Sequence, residues 1–214
     1  MKVLFLNTSN SNLVIGIVDS DKLVYEGYFE DIKEHSKYLI SSIEKGFREC
    51  NLKPNDIDKL IVIEGPGSFT GLRIGITVTK VYGFALNKQV LGISSLKALA
   101  LSTPGYDYII PIIDARGGYV FGAIYDRNYN TILDEQHTTL DNLKDKVKEL
   151  DGNFIFVYND NLFDDQSFND YNHRKIKLDV LKIVNYYKND KGVNPHELNP
   201  KYLKLSQAEE NINC

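Results

Sequence analysis

Hydrophobic and polar positions fall into short alternating blocks along this chain. Residues 3–6 (Val-Leu-Phe-Leu) form an apolar run suited to a buried strand, and the polar stretch 7–12 reads as a turn. Residues 13–18 and 23–29 read as two further strands joined by a hairpin turn at 19–22. Tyr38, Leu39, Ile43 and Phe47 recur at helical spacing, which predicts a helix over 36–50. A strand at 60–63, a helix over 74–86, a strand at 90–93 and a short helix over 96–101, with Ser94 and Ser95 placed to cap it, complete the first half. After a break at Ser102-Thr103-Pro104-Gly105 the pattern begins again, with strands at 108–113, 119–125 and 131–133, a helix over 140–150 and a strand at 154–157. Residues 160–173 are polar with few apolar anchors and read as irregular; 180–187 reads as a short helix, followed by a polar tail. Both halves thus run strand, turn, strand, hairpin, strand, helix, strand, an internal repeat of topology without sequence repetition. The pattern predicts an α/β chain of two domains, 1–102 and 103–214.

Between the fourth strand and the helix that follows it lies Glu64-Gly65-Pro66-Gly67-Ser68-Phe69-Thr70-Gly71-Leu72-Arg73-Ile74-Gly75. Its glycines, and a proline of fixed φ, make a stiff and tightly turned junction. Such a junction leaves backbone N–H groups at a helix start, where an anion can bind; it can equally be a tight connection. It is not a Walker phosphate loop, because Arg73-Ile74 stands where Gly-Lys-Ser/Thr is needed, and its spacing does not match the dinucleotide fingerprint. Arg73 sits in the first turn of a helix, where a cation gains nothing from the dipole, so a carboxylate (Glu64 or Asp114), a ligand or a partner is expected to hold it. Phe69, at the tip, either fills its own core or offers an apolar knob to another protein. Ile74, Val78, Val81, Tyr82 and Ala85 form one apolar stripe of the helix, read mostly as core, and Ile76, Thr79, Gly83 and Leu86 another. A helix apolar on more than one side suggests a partner packed over it.

Composition narrows the function classes. Of 214 residues 43% are apolar, enough for a substantial core, and the formal charge is −4. Residues 1–100 carry 12 basic and 11 acidic side chains and residues 101–214 carry 13 and 18, so neither half has the broad positive field that drives binding to a nucleic acid backbone. Cys50 and Cys214 are far apart and outside any Cys-x-x-Cys pair, which fits a reducing compartment; no signal peptide or membrane span is read, so a cytoplasmic protein is expected. His35, His137, His173 and His196 form no metal-ligand spacing, and no metal or cofactor is expected. His35 opens the first helix, in a cap or surface role. Ser68 and Thr70 have no base nearby in sequence and no Gly-x-Ser-x-Gly setting, which argues against nucleophilic catalysis. Asn7-Thr8-Ser9 could hold a phosphate or simply form an Asx-type turn, and Asn7 brings no charge for Mg²⁺. Asp114 occupies the corresponding place in the second half and is the better acidic candidate.

The segment Gly65 to Gly75 closely resembles the signature loop of the bacterial TsaB (YeaZ) family. Leu6-Asn7-Thr8-Ser9, His35-Ser36-Lys37-Tyr38-Leu39, Ile93-Ser94-Ser95-Leu96, residues 113–121 and Pro200-Lys201-Tyr202-Leu203 resemble further family segments; the match is dense over 1–126 and thin over 127–198. The resemblance implies two ribonuclease-H-like domains of the actin-like ATPase superfamily, mixed sheets flanked by helices, the second domain reduced. It implies a non-catalytic scaffold that activates a TsaD-type transferase, which installs threonylcarbamoyl on the adenosine beside the anticodon of tRNAs reading codons that begin with A. The implied partners are the TsaD-like catalytic paralogue, a TsaE-like ATPase and a second copy of the chain when alone, with tRNA met only through the complex. Gly65, Pro66, Gly67, Ser68, Phe69, Thr70, Gly71, Arg73, His35 and Tyr38 would be the structural loop and partner-facing residues. Asn7, Thr8, Ser9 and Asp114 would be what remains of an ancestral nucleotide site, weakened by Asn7 where many relatives have Asp. An ATP-binding or hydrolysing enzyme of the same superfamily is the alternative.

Overall fold

The computed structural model describes residues 1–32, 34–161, 163, 165–168 and 171–204; the polar tail beyond Lys204, with Cys214, lies outside the described residues, as do four positions of the polar stretch 160–173. The chain divides into two compact units. The first comprises Met1–Ser95 with Asp179–Pro200, the second Leu96–Leu178 with the chain from Lys201 onward.

In the first unit β1 (Lys2–Asn7), β2 (Leu13–Asp19) and β3 (Lys22–Phe29) make an antiparallel meander. Helix α1 (His35–Glu49) leads to β4 (Lys59–Gly65), parallel to β1, and α2 (Phe69–Leu86) leads to β5 (Val90–Ser94), parallel to β4. The sheet order is β3-β2-β1-β4-β5. Alternation sets the two faces. Leu4, Leu6, Leu13, Ile15, Ile17, Leu60 and Val62 point to one side, where they meet Leu39, Ile43 and Phe47 of α1 and Ile76 of α2 in one buried cluster. On the other side β2 carries Gly16, paired in register with the large Phe5. A Cβ at Gly16 would lie 2.4 Å from Val180 Cγ1, so its absence lets α6 (Val180–Tyr187) approach the sheet. Lys59, buried at the start of β4, secures that helix. Its Nζ donates to the carbonyls of Tyr187 (2.9 Å) and Asp190 (2.6 Å) at and just beyond the C-terminal end of α6, where carbonyls lack intrahelical donors. Residues 179–200 therefore belong with the first sheet, and the units part at Ser95 rather than at 102. Their attachment depends on Gly16, Lys59 and an antiparallel bridge from Val90 to Val193, contacts of long sequence separation that periodicity cannot register.

The second unit repeats the topology. After α3 (Ser95–Leu101) come β6 (Tyr108–Arg116), β7 (Tyr119–Asp126), β8 (Thr131–Thr139), α4 (Leu140–Val147), β9 (Phe154–Tyr158), a single turn α5 (Asp165–Phe168) and β10 (His173–Lys175). The order β10-β9-β6-β7-β8 mirrors the first sheet, with β6–β7–β8 antiparallel and β9 and β10 parallel to β6. Leu143 and Val147 of α4 pack on Ile110, Ile112, Val120 and Phe156. The stretch 160–173 is less irregular than its polarity suggests. Phe163 and the fully buried Phe168 join this core against Tyr158, Phe168 stacked on its ring and Phe163 tilted to it, and these aromatic anchors accompany a turn and a short edge strand. β8 likewise runs six residues beyond the predicted 133, held by pairing with β7 rather than by apolar alternation. Among the described residues no helix is long and apolar enough to cross a membrane.

Candidate functional site

The glycine loop is the junction of β4 and α2, and the helix begins five residues earlier than periodicity predicts. Ser68 is the N-cap: its side chain accepts from Gly71 N (3.3 Å) and its carbonyl from Leu72 N (2.9 Å). Gly71 and Gly75 are therefore helical residues. Gly71 reads as a turn residue in sequence because glycine lowers helix propensity; here close packing requires both glycines. A Cβ at Gly71 would stand 2.0 Å from the carbonyl oxygen of Thr8, one at Gly67 2.3 Å from that of Ser9, and one at Gly75 2.4 Å from Thr8 Oγ1. Three glycines thus seat the first turns of α2 directly on the β1–β2 turn.

Hydrogen bonds close the same contact. Ser68 N donates to Ser9 O at 2.7 Å, Thr8 Oγ1 to Gly71 O at 2.7 Å, and Ser95 Oγ to the carbonyl of Pro66, which follows a cis peptide bond, at 2.5 Å. Asn7 Oδ1 accepts from Ser9 N (3.0 Å) and Ser9 Oγ (2.7 Å), an Asx-type arrangement, while Asn7 Nδ2 is buried and has no hydrogen-bond partner among the described residues. The N–H groups of Ser68 and Gly71, two of those expected to stand open to an anion, are taken up inside the fold. Asp114 belongs to the second unit, where its Oδ1 accepts from Arg116 N at 3.1 Å in the β6–β7 turn.

The predicted partner-facing residues divide by exposure. Gly65, Pro66, Gly71 and His35 are buried, Gly67 and Phe69 half-buried, and Ser68, Thr70, Arg73 and Tyr38 exposed. The buried members of this set position α1 and α2; the exposed ones lie on the outer surface of those helices. The helices adjoin each other: Phe47 and Tyr82 stack with ring centroids 6.5 Å apart, and Tyr82 is held above the ordinary phenol range first by burial and then by the charge of Glu44 on α1. The uncovered face is more apolar than the sequence reading assigned. Val81 is 58% exposed and Ala85 is exposed, although both fell in the stripe read as core; Phe84 is 70% exposed, and Tyr38 and Ile40 of α1 are 39% and 40% exposed. Sheet contact selects Leu72, Ile76, Thr79 and Gly83 for the buried side of α2, which turns Arg73, Thr77, Val81 and Phe84 outward. Phe84 meets His196 edge to face at 5.5 Å. Sequence reasoning did not single out Phe84 or Ile40; the spacing of Arg73, Thr77, Val81 and Phe84 on one side of α2 is the signal that could have found them.

His35 ties α1 to the same turn. Its ring contacts the backbone at Asn10 and Asn12, and its Nε2 is buried without a partner among the described residues. Burial holds it below its ordinary value, against backbone contacts that favour the protonated ring. A folded-state value below the unfolded one means that the unfolded chain takes up the proton first as pH falls. The stabilisation is complete above the unfolded value of about 6.5 and is lost progressively below it. Urea midpoints compared at pH 7.5 and pH 5.5 are expected to fall more for the wild type than for His35→Gln; equal falls would show that His35 is not the group responsible.

Comparison with known proteins bears on this arrangement. The family model described as TsaD, tRNA N6-adenosine threonylcarbamoyltransferase, matches residues 30–169, more than half of the chain. A relative from Bacillus subtilis (strain 168), the tRNA threonylcarbamoyladenosine biosynthesis protein TsaB, is 29% identical over 98% of this chain and 96% of its own length. The chain belongs to this family, in its TsaB (YeaZ) branch. The Escherichia coli (strain K12) protein of the same name is 27% identical over 58% of this chain and 57% of its own. The solved structure of YeaZ from Pseudomonas aeruginosa superposes with a TM-score of 0.75 at 20% identity, covering 94% of this chain and 99% of that one, so the two-sheet actin-like fold is shared. In this TsaB-type chain the signature glycines are contact points between α2 and the β1–β2 turn.

Proposed function

We propose that this chain is a non-catalytic subunit that docks on a TsaD-type transferase and activates it in forming threonylcarbamoyladenosine beside the anticodon of tRNAs that read codons beginning with A. The observation that carries the reading is the use of the glycine loop. Its glycines and two of its N–H groups are spent on seating α2, and among the described residues Val81 and Phe84 of α2 and Tyr38 and Ile40 of α1 are left exposed. Exposed large apolar side chains on two adjoining helices are candidates for contact with another protein. In this reading a TsaE-like ATPase joins the complex, tRNA is met through the complex alone, and the free chain pairs with a second copy through the same helices. The names of the curated relatives support the pathway.

A second reading, an ATP-binding or hydrolysing enzyme of the actin-like superfamily, has one observation in its favour: Asn7 Nδ2, at the C-terminal end of β1, is buried without a partner among the described residues. Reconstitution separates the two. The cognate TsaD-type, TsaE-type and TsaC-type proteins are supplied with unmodified tRNA, threonine, bicarbonate and ATP, and threonylcarbamoyladenosine is measured by mass spectrometry with and without this chain. Product that depends on the chain, with no ATP turnover by the chain alone, is the expected result. Product unaffected by its omission, together with ATP turnover by the isolated chain, would sink the scaffold reading in favour of the second.

A further inference from the structure

The chain beyond α6 meets the edge strand β5, where Val193 N donates to Val90 O at 2.8 Å and Val90 N to Val193 O at 3.1 Å. Further on, the buried Leu198 enters the core cluster of the same sheet. Between these anchors residues 194–197 form a tight turn. Glu197 N donates to Asn194 O at 2.9 Å, and Asn194 Oδ1 accepts from His196 N at 3.0 Å. Asn and Pro in the first two positions suit such a turn. The amide side chain accepts from the backbone two residues on, and Pro195 presets its own φ. The turn is seated on the last turn of α2. A Cβ at Gly83 would lie 2.9 Å from Pro195 Cγ and 2.6 Å from Val90 Cγ1, so a side chain there would push both away. The next residue is Phe84. The His196 ring meets it edge to face, with centroids 5.5 Å apart and planes at 69°, a favoured aromatic geometry. Gly83 thus lets the turn approach closely enough for its imidazole to bear on a ring that remains 70% exposed.

An exposed side chain near a helix end samples several rotamers and loses that freedom when a partner fixes it. We infer that the Asn194–Glu197 turn is a positioning device for docking: His196 holds Phe84 in the orientation that the partner receives, and its contribution to affinity passes through that ring. The turn is rigid for reasons of its own. It is closed by its backbone and Asn194 bonds and is tied down on both sides, at Val193 and at Leu198. A side chain ordered before binding costs less to order on binding. The inference rests on the docking reading above and adds to it how an exposed aromatic side chain of that face is oriented.

A double-mutant cycle on the affinity for the cognate TsaD-type protein, read by calorimetry, isolates this role. His196→Ala is expected to weaken the complex by about threefold to tenfold, the cost of ordering one freed side chain. His196→Phe, which keeps a ring beside Phe84, is expected to stay within about twofold of wild type. In a Phe84→Ala chain the same His196→Ala change is expected to shift affinity by less than about twofold. In the free chain, three-bond couplings at the Phe84 Cβ protons are expected to report one dominant χ1 rotamer in the wild type and an average over several in His196→Ala. Circular dichroism verifies that every variant is folded. Wild-type affinity in His196→Ala, an equal loss with and without the Phe84 ring, or a Phe84 already averaged over rotamers in the free wild type would overturn the inference while leaving the docking reading intact. Absence of binding to the TsaD-type protein by the wild type would overturn both.

Discussion

Replacing Gly71 with alanine is expected to destabilise the first unit by about 3 kcal/mol or more, at the upper end of what overpacking costs. The direction opposes the usual one. In a helix interior Gly→Ala is stabilising by roughly 0.5–1 kcal/mol, because alanine loses less backbone freedom. At this position the added Cβ meets the Thr8 carbonyl oxygen at 2.0 Å, and the obstacle is backbone fixed in the β1–β2 turn, with no rotamer to escape into. Helix α2 must then lift away, which stretches Ser68 N to Ser9 O and Thr8 Oγ1 to Gly71 O together. Urea denaturation followed by circular dichroism measures the loss; Thr77→Ala, on the exposed side of the same helix, is expected to stay within about 0.5 kcal/mol of wild type. If Gly71→Ala instead unfolds at the wild-type midpoint but loses a stabilisation that ATP confers on the wild type, the loop is a ligand site and the packing account is wrong.

Replacing Phe84 with alanine is expected to do the reverse. The ring is 70% exposed and meets His196 edge-on, so little packing is lost and the stability is expected to change by less than about 0.5 kcal/mol. Docking is where the loss appears. Large aromatic side chains at the centre of an apolar patch dominate binding energy, and truncation is expected to weaken the complex with the TsaD-type protein by roughly tenfold to a hundredfold, about 1.4–2.8 kcal/mol. Val81→Asp, one turn away on the same side, is expected to abolish binding by placing a charge in a desolvated contact. Calorimetry reads both variants. Wild-type affinity in both would remove this surface from the interface.

Sequence and structure agree best where one rule governs. Short apolar runs revealed β1, β2 and β4 as buried strands, and the repeated order of elements revealed two units of like topology. Disagreement begins where tertiary contact overrides a local signal. Gly71 lengthens the apparent turn and hides five residues of α2, because low helix propensity is all that glycine shows without its neighbour Thr8. Val81 and Ala85 look like core because α2 is apolar nearly all round; only the sheet decides which side is covered. The anchoring of 179–200 depends on Gly16 beneath Val180 and on Lys59 at the end of α6, pairs separated by more than a hundred residues. The candidate site was partly legible for the same reason. The loop that seats the helices stands out as a run of glycines, whereas Phe84 owes its prominence to what fails to cover it.

Hydrogen exchange on the chain, free and saturated with the cognate TsaD-type protein, tests the docking claim most directly. Binding slows exchange in the elements whose opening it suppresses. The expected result is protection gained in peptides spanning α1 (His35–Glu49) and α2 (Phe69–Leu86), with β6 to β8 of the second unit unchanged. Protection confined to the second unit, or none anywhere under saturating partner, would contradict the assignment of the α1/α2 face as the working surface of this chain.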